Sequence, residues 1–350
     1  MQIQAKRKES EQLLWDLGQF ALQCRDAWRL GEDALLPPAP AGGFQQILLM
    51  GMGGSAIGGD LTKFYAQTRC PIPVEICKNY DPPCWVGSQT LAIAISHSGN
   101  TEETICCYAQ CQKAGAVCIA ITGGGRLAAL ASAHGDAVIL VPQTMQPRNS
   151  MAYLTLPILL TLKQYGLIPL PQQELEAILA AIHQLQAKAA PDVPPAHNPA
   201  KQLAQTLQHQ LPLIWGVCGS TEVMAYRWKS QLNENSKSPA FFNVLPELNH
   251  NEIQGVEHLP FLNQHLAVVV LRSQADSLAI QKRIAVTKNL WQPYTSQWLE
   301  VWAEGSTALA KLFYLILLGD YVSVYLAYLY DTDPADIHLI HQLKQKLQKS

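Results

Sequence analysis

The chain has 350 residues, with 25 Lys or Arg and 27 Asp or Glu, so its formal net charge is -2 at pH 7 with His neutral. Only 15% of the residues are charged, which excludes the basic surface that binding to nucleic acid or to anionic membranes requires. The 48% hydrophobic content excludes a disordered chain, and the length favours two globular domains.

The first half of the chain alternates between apolar strands and helical segments. Helical periodicity over residues 10–31 predicts a first helix, and the prolines and glycines of residues 37–43 predict a connector. The strands predicted after it are 47–50, 73–77, 91–95, 116–121 and 137–141. The helices predicted among and after them are 55–67, 102–114, 151–166 and 173–189. Such alternation is typical of a parallel sheet covered on both faces.

The second half repeats this pattern after a cluster of prolines. Strands are predicted over 213–217, 240–244 and 266–271, and helices over 222–232, 275–288 and 306–329. Each half opens with an apolar strand that runs into Gly and Ser at the start of a helix. The predicted fold is therefore α/β, with two similar doubly wound parallel-sheet units and flanking helices. The predicted divisions are an N-terminal helical segment (1–43), a first α/β domain (44–190), a proline-rich linker (191–200) and a second α/β domain with C-terminal helices (201–350).

The cysteines and the apolar segments favour a cytoplasmic location. Nine cysteines are an odd number and none is spaced as CxxC, so we expect reduced thiols rather than a disulfide framework. The N-terminus has basic residues but no apolar stretch behind them, so no signal peptide is predicted. The most apolar segment, residues 312–318, is too short for a bilayer, which needs about 20 residues, and is predicted to belong to a buried core helix. We expect no membrane partner.

A glycine-rich loop follows the first strand, at residues 51–60. Glycines let the backbone approach an anion closely, and the amides of the next helix, from Gly54 and Ser55 onward, can bind it. This loop also fits the dinucleotide-binding fingerprint, and glycines in such turns can be purely structural. Phosphate binding, nicotinamide binding and a structural turn all remain open from this loop alone.

A second loop, after the predicted strand 91–95, carries three hydroxyls. Ser96, Ser98 and Thr101 stand at the start of a helix, where neutral donors and the helix dipole can bind a phosphoryl group without Lys or Arg. The dipole contributes only about 0.3–2 kcal/mol, so hydrogen bonds must supply most of the binding energy. The alternative is that Thr101 caps the helix. Capping explains one hydroxyl and leaves the other two unexplained.

These loops belong to a larger set of motifs. The hydroxyl loop at 96–104 resembles the sugar-phosphate loop of the sugar isomerase (SIS) domain family. The fuller set is similar to the bifunctional phosphoglucose/phosphomannose isomerases of that family. It comprises residues 50–60, 147–148, 233–235, 248–253, 319–323 and 343–344. The matches run in the expected order from about residue 45 to 347, and so cover most of the chain.

The resemblance implies four catalytic residues. Glu234 matches the carboxylate that moves a proton between C1 and C2, and His250 matches the residue that opens the sugar ring, supplied in the family by the partner subunit. Lys344 matches the ring-opening partner near O5, and Arg148 matches the cation that stabilises the enediolate. Each type suits its role, since a carboxylate can exchange protons with carbon and imidazole exchanges them near neutral pH.

The resemblance also implies the reaction and its partners. It implies a homodimeric aldose-ketose isomerase that interconverts glucose 6-phosphate and mannose 6-phosphate with fructose 6-phosphate through a cis-enediol(ate). It implies phosphate binding by Gly54, Ser55, Ser96, Ser98 and Thr101, and no cofactor. No cluster of His, Cys and carboxylates has metal-ligand spacing, so no metal is expected.

Three alternatives to an isomerase were open on the sequence. A non-catalytic SIS regulatory protein that binds sugar phosphates would need the hydroxyl loop but not Glu234, His250 and Lys344 together. An amidotransferase-type isomerase normally begins with a reactive N-terminal Cys, whereas this chain begins Met-Gln. A nicotinamide dehydrogenase predicts an acidic residue at the end of the second strand, where Cys77 and Lys78 stand.

Overall fold

The computed structural model describes residues 11–143, 145–258 and 260–347. The chain divides into two compact units. The first is Gln19–Leu179, and the second contains residues 180–347 together with 11–18. The domain limits predicted from the sequence stay predictions, and the parts of them at residues 1–10, 144, 259 and 348–350 lie outside the described residues.

The first unit contains a sheet of five parallel strands in the order β2-β1-β3-β4-β5. The strands are β1 Gln46–Met50, β2 Val74–Cys77, β3 Thr90–Ser96, β4 Val117–Thr122 and β5 Ala137–Leu140. The central strand β3 is buried along its whole length. A strand covered on both faces needs apolar side chains on both, which is why β3 is almost wholly apolar rather than alternating. The predicted parallel α/β fold is confirmed in this unit.

Helices cover both faces of this sheet. They are α2 Phe20–Glu32, α3 Gly54–Ala66, α4 Glu102–Lys113, α5 Gly125–His134, α6 Met151–Gln164 and α7 Gln172–Ala189, which continues into the second unit. Buried side chains of α4 and α5, among them Ile105, Tyr108 and Leu127, pack with Leu48 and Ala92 of the sheet. Helix α3 packs against α6, and α6 also contacts β3.

The strand order creates a crevice at one end of the sheet. The chain leaves β1 through α3 to reach β2 on one side, and leaves β3 through α4 to reach β4 on the other. After β1 and after β3 the chain therefore runs to opposite sides of the sheet, starting from the carboxyl ends of two neighbouring strands. In open α/β sheets this switch point is the usual ligand site.

The second unit contains four parallel strands in the order β7-β6-β8-β9. They are β6 Leu211–Val217, β7 Phe241–Leu245, β8 Leu266–Arg272 and β9 Gln297–Trp302. The edge strand β9 was not predicted. Most of its side chains are at least partly exposed, so it lacks the continuous apolar run that identifies a buried strand.

Seven further helices of the described residues belong to the second unit. They are α1 at residues 11–18, α8 Pro199–Leu207, α9 Glu222–Glu234, α10 Pro260–Asn263, α11 Leu278–Trp291, α12 Ala308–Leu329 and α13 His338–Leu347. By length and composition α12 could cross a membrane, but 89% of its most apolar window is buried inside the protein, as in a core helix. The single helix predicted over residues 10–31 is interrupted at Gln19, whose backbone (φ −92°, ψ 2°) leaves the helical region. Ser10, its predicted first residue, lies outside the described residues.

Candidate active site

The loops after β1 and β3 lie against each other in the first unit. A Cβ atom at Gly51 would lie 3.0 Å from the carbonyl carbon of Ser55 and 3.1 Å from the carbonyl oxygen of Ile95. This close approach places the start of α3 beside the end of β3. Ser55 and Ser96, which are both buried, therefore belong to one cluster at the switch point.

The hydroxyl loop runs from Ser96, the last residue of β3, to Thr101, which precedes α4. The Ser96 Oγ and Thr101 Oγ1 atoms are hydrogen-bonded at 2.9 Å. No α4 amide donates to the Thr101 side chain among the described residues, so the capping alternative does not describe this hydroxyl. Ser98 is exposed, and its Oγ accepts a hydrogen bond from the backbone N–H of Asn100 at 3.2 Å.

The loop is held against the turn that follows β4. Gly99 has φ +64°, and a Cβ there would lie 1.7 Å from the carbonyl oxygen of Gly124. Asn100 joins the same turn, because its Oδ1 accepts from the backbone N–H of Arg126 at 3.1 Å. Sequence reasoning missed Asn100 and α5, whose only signal was three consecutive glycines at 123–125. An open cavity of about 450 Å³ lies here, lined by His97, Ser98, Asn100, Gly125, Gln143 and Met145.

His97 is buried between the two serines of this loop. Its Nε2 is 3.1 Å from the carbonyl oxygen of Pro142, which can only accept, so Nε2 carries the proton. Burial lowers the pKa of His97 from its ordinary value of 6.5, opposed by this hydrogen bond. The ring is therefore neutral at pH 7, and the loop holds no charged side chain between Ser96 and Thr101.

Arg148 lies beside the start of α3. It belongs to a 3-10 turn between β5 and α6, and it is 4% exposed. The carbonyl oxygen of Pro147 is 3.4 Å from the Cβ position of Gly54, and the Arg148 Cα is 3.8 Å from that position. The first unit thus brings the backbone of Arg148 to Gly54 and Ser55. The Arg148 backbone therefore lies at the N-terminal end of α3, and the residue itself is buried.

Glu234 lies in the second unit, where it is the last residue of α9. It is half-buried, and Lys237 Nζ donates a hydrogen bond to its carbonyl oxygen at 2.8 Å. The same ammonium donates to the carbonyl oxygen of Asp333 at 2.8 Å. The end of α9 is thereby tied to the segment that follows α12.

His250 is exposed at the end of a 3-10 turn that follows β7. Its neighbours in the chain are anchored to the body of the second unit. Trp215 Nε1 donates to Glu252 Oε1 at 2.9 Å, and Asn243 Nδ2 donates to the other oxygen of the same carboxylate. Asn249 Nδ2 donates to Thr287 Oγ1 at 2.9 Å. The imidazole therefore stands in solvent on a well-anchored segment.

Lys344 lies on α13, where every described side chain is at least partly exposed. Lys346, two residues further on, is exposed in the same way. Nothing in the contacts of this helix separates the two lysines, so the choice of Lys344 still rests on the motif. Glu234, His250 and Lys344 belong to the second unit, whereas the hydroxyl loop and Arg148 belong to the first.

Within the described ranges, no group of three or more His, Cys, Asp or Glu side chains could hold a metal ion. The donors at the switch point of the first sheet are hydroxyls and amides. Such neutral donors suit an anionic oxygen ligand.

Known proteins match both units of the chain. Residues 196–347 match the family described as the bacterial phospho-glucose isomerase C-terminal SIS domain. A bifunctional phosphoglucose/phosphomannose isomerase of Caldicellulosiruptor bescii is 40% identical over 93% of this chain and 96% of the relative. The enzyme of the same name from Aquifex aeolicus is 31% identical over 87% and 91% of the two chains. A solved structure of a hypothetical protein from Thermus thermophilus shares the fold, with a TM-score of 0.72 over 99% of this chain and 95% of that one, at 14% identity.

The fold and the matched domain define a protein of the sugar isomerase class, with two parallel sheets and flanking helices. Within that class, the chain belongs to the bifunctional phosphoglucose/phosphomannose isomerase family, because the similarity covers nearly the full length of both chains compared. The resemblance drawn from the motifs is confirmed.

Proposed function

We propose that this protein is an aldose-ketose isomerase that interconverts glucose 6-phosphate and mannose 6-phosphate with fructose 6-phosphate. The observation that carries the proposal is the 40% identity to a bifunctional phosphoglucose/phosphomannose isomerase over 93% of this chain and 96% of the relative. The hydroxyl loop at the switch point of the first sheet supports it. That loop supplies what a phosphate monoester needs and what a non-ionic sugar would not use.

The first unit binds the phosphate in this proposal. Ser55, Ser96, Ser98 and Thr101 supply hydroxyls, and the amides at Gly54 and at the start of α4 add backbone donors. The Ser96–Thr101 hydrogen bond preorganises two of the hydroxyls before the ligand arrives. Each helix N-terminus adds about 0.3–2 kcal/mol, while each hydrogen bond to the charged phosphate adds about 1.5–3 kcal/mol. Neutral donors therefore suffice for binding.

The second unit supplies the groups that open the ring. His250 exchanges a proton at one of the two oxygens, O1 or O5, and Lys344 acts near O5. Both side chains are exposed, so a substrate can reach them. Imidazole suits this exchange because its ordinary pKa lies close to neutral pH.

Isomerisation then needs one base and one stabilising cation. Glu234 takes the proton from C2 of the aldose and returns it to C1, with a cis-enediolate between the two transfers. Arg148 stabilises the negative charge on the enediolate oxygen. A positioned general base is worth about 100–10,000-fold in rate, and a fixed cation at the developing charge acts in the same step.

We also propose a cytoplasmic homodimer in which His250 completes the site of the partner subunit. Helix α11 supports the dimer, because Leu278, Val286 and Leu290 are 83%, 51% and 55% exposed, with the exposed Lys282 between Leu278 and Val286 on the same helix face. Large exposed apolar side chains together with a long basic side chain are compatible with a subunit interface. The 3-10 turn of His250 is bonded to the same helix through Asn249 and Thr287.

A coupled assay with each of the three hexose 6-phosphates tests the proposal. The purified protein should convert both aldose epimers to fructose 6-phosphate, with or without EDTA. Glu234→Gln should lower kcat by at least 100-fold while a phosphate-bearing competitive inhibitor binds as before, because the variant keeps the hydroxyl loop. Absence of turnover with all three sugars, or near-normal turnover by Glu234→Gln, would show the proposal to be wrong.

A further inference from the structure

A buried carboxylate of α12 holds the face of α9 that precedes Glu234. Arg227 Nη2 donates to both oxygens of Asp320, at 2.7 and 2.8 Å, and Gln231 Nε2 donates to Asp320 Oδ1 at 2.6 Å. All three residues are at most 3% exposed. Since residues 227 and 231 are four apart, Asp320 fixes two successive turns of one face of α9.

The two residues that directly follow α9 are held by Ser323. Asn235 Nδ2 donates to Ser323 Oγ at 2.9 Å, and Ser236 Oγ donates to the Ser323 carbonyl oxygen at 2.7 Å. Ser323 Oγ in turn donates to the carbonyl oxygen of Asp320 at 2.9 Å. The network thus continues past the end of the helix, on both sides of Glu234 in the sequence.

Close packing of the two helices makes these contacts possible. A Cβ at Gly319 would lie 2.4 Å from Trp228 Nε1, so only glycine allows the approach. Trp228 Nε1 donates to the carbonyl oxygen of Leu315 at 2.8 Å. The indole and the glycine together set the register of α9 along α12.

The buried bonds of Asp320 with Arg227 and Gln231 need not increase the stability of the fold. Replacing a buried ion pair with apolar side chains of similar volume is often neutral, or stabilising by about 1–4 kcal/mol, because desolvation offsets the attraction. An apolar contact would leave α9 free to slide or rotate slightly, whereas directional hydrogen bonds allow one arrangement. A displacement of about 1 Å at a reacting group can cost about 100-fold in rate.

We infer that Asp320 and Ser323 are positioning residues that hold the last turn of α9, and with it the Glu234 carboxylate, in the place proton transfer needs. The inference rests on the proposed function, since it assigns Glu234 the role of the base. Glu234 is next to Asn235 in the chain and is half-buried. Anchoring Asn235 and Ser236 therefore fixes the backbone from which the Glu234 side chain extends.

Ser323→Ala tests the inference, because it removes the acceptor of Asn235 together with the bond from Ser323 Oγ to the Asp320 carbonyl oxygen. We expect kcat to fall about 10-fold or more while KM for fructose 6-phosphate changes less than twofold. Ser323→Thr, which keeps the hydroxyl, should recover most of the lost kcat. The matched control is Thr161→Ala, which removes a buried hydroxyl of the first unit that donates to the Pro157 carbonyl oxygen at 2.8 Å. Its kcat should stay at the value of the unmodified protein.

A second background separates positioning from general damage. In Glu234→Gln, Ser323→Ala should lower the residual kcat by less than twofold, because the carboxylate that it places is already gone. An equal fall in both backgrounds, or full kcat in Ser323→Ala alone, would overturn the inference. If Ser323→Ala does not fold by circular dichroism, Ser236→Ala, which loses only the bond to the Ser323 carbonyl, takes its place with the same expectations. Normal turnover by Glu234→Gln would instead show that the proposed function, with Glu234 as the base, is wrong.

Discussion

Ser96 and Thr101 close the hydroxyl loop on itself, since their side-chain oxygens lie 2.9 Å apart at its two ends. One residue ends a buried strand and the other precedes a helix. The bond keeps Thr101 away from the amides of α4, which would be its ordinary partners in a capped helix. The Thr101 hydroxyl is therefore held by the loop itself and not by the helix that follows it.

Removing one exposed hydroxyl of the loop should weaken substrate binding. Ser98→Ala is expected to raise KM about 10-fold or more with little change in kcat, because a hydrogen bond to a charged group contributes about 1.5–3 kcal/mol in ground and transition states alike. Steady-state kinetics with fructose 6-phosphate measure this. Ser132→Ala, which removes an exposed hydroxyl from α5 outside the loop, is the control and should leave KM unchanged. An unchanged KM in Ser98→Ala would contradict phosphate binding by Ser98.

The sharp turn at Gly99 should tolerate no side chain. Gly99→Ala combines a positive φ of +64° with a Cβ 1.7 Å from the Gly124 carbonyl oxygen, so the loop must move. We expect a large rise in KM and a loss of unfolding free energy of more than about 1 kcal/mol, the usual range for backbone strain alone being about 1–3 kcal/mol. Urea denaturation and kinetics measure the two effects.

The control for that prediction is Gly115→Ala. Gly115 has a similar φ of +79°, but a Cβ there would meet no atom within 4 Å. Gly115→Ala should lower the free energy of unfolding because of the backbone strain, but it should leave KM unchanged. Equal KM values in both variants would indicate that the contact with Gly124 does not shape the hydroxyl loop.

The stability of the first unit should depend on His97 below neutral pH. Burial lowers the pKa of His97 in the folded protein below 6.5, so the unfolded chain takes up its proton first as the pH falls. The contribution of His97 to the free energy of unfolding is therefore complete above pH 6.5. It is lost as the pH falls from 6.5 towards the pKa of His97 in the folded protein. We expect the free energy of unfolding to fall less between pH 7.5 and pH 5.5 for His97→Gln than for the unmodified protein. The slopes of this free energy against pH should differ by at most about 1.4 kcal/mol per pH unit.

Thr161→Ala provides the control for this pH dependence, because it removes a buried hydroxyl of the same unit and no titratable group. Its loss of stability between pH 7.5 and pH 5.5 should equal that of the unmodified protein. If His97→Gln loses as much stability between pH 7.5 and pH 5.5 as the unmodified protein does, the buried imidazole is not the group that titrates.

The nine cysteines should divide sharply by reactivity. Cys84 and Cys218 are exposed, whereas burial raises the pKa of the Cys118 thiol to about 12. Thiolate is the reactive form, and partial burial and the nearby Glu222 raise the pKa of the Cys218 thiol. A disulfide reagent at pH 8 should therefore label Cys84 first, Cys218 more slowly, and all nine cysteines only after unfolding. Cys84→Ser should remove one fast equivalent, and Cys118→Ala should remove none. Rapid labelling of Cys118 in the folded protein would contradict the structure.

Much of the fold was readable from local patterns. Both sheets were predicted from apolar strands such as 91–95, because a strand covered on both faces must be apolar throughout. The break at Gln19 and the edge strand β9 were not predicted. The periodicity on either side of Gln19 is continuous, and β9 is too exposed to show an apolar run.

Only some residues of the candidate site could be predicted from the sequence. The hydroxyls of Ser96, Ser98 and Thr101 were recognised because three occur in one turn, and the resemblance added Glu234 and His250. Asn100 and Asp320 were not assigned a role from sequence. Their importance lies in contacts with Arg126 and Arg227, which are distant in the chain, and no local spacing shows such contacts.

The amino-acid sequence by itself determined the α/β class, the two parallel sheets and the hydroxyl loop, because periodicity, apolar runs and clustered hydroxyls are properties of neighbouring residues. Only the tertiary structure decided that the loops after β1 and β3 meet at one switch point, that Thr101 bonds to Ser96, and that α12 anchors the end of α9. These are relations between distant segments. They follow from strand order and side-chain packing, which are settled only when the whole chain buries its apolar surface together.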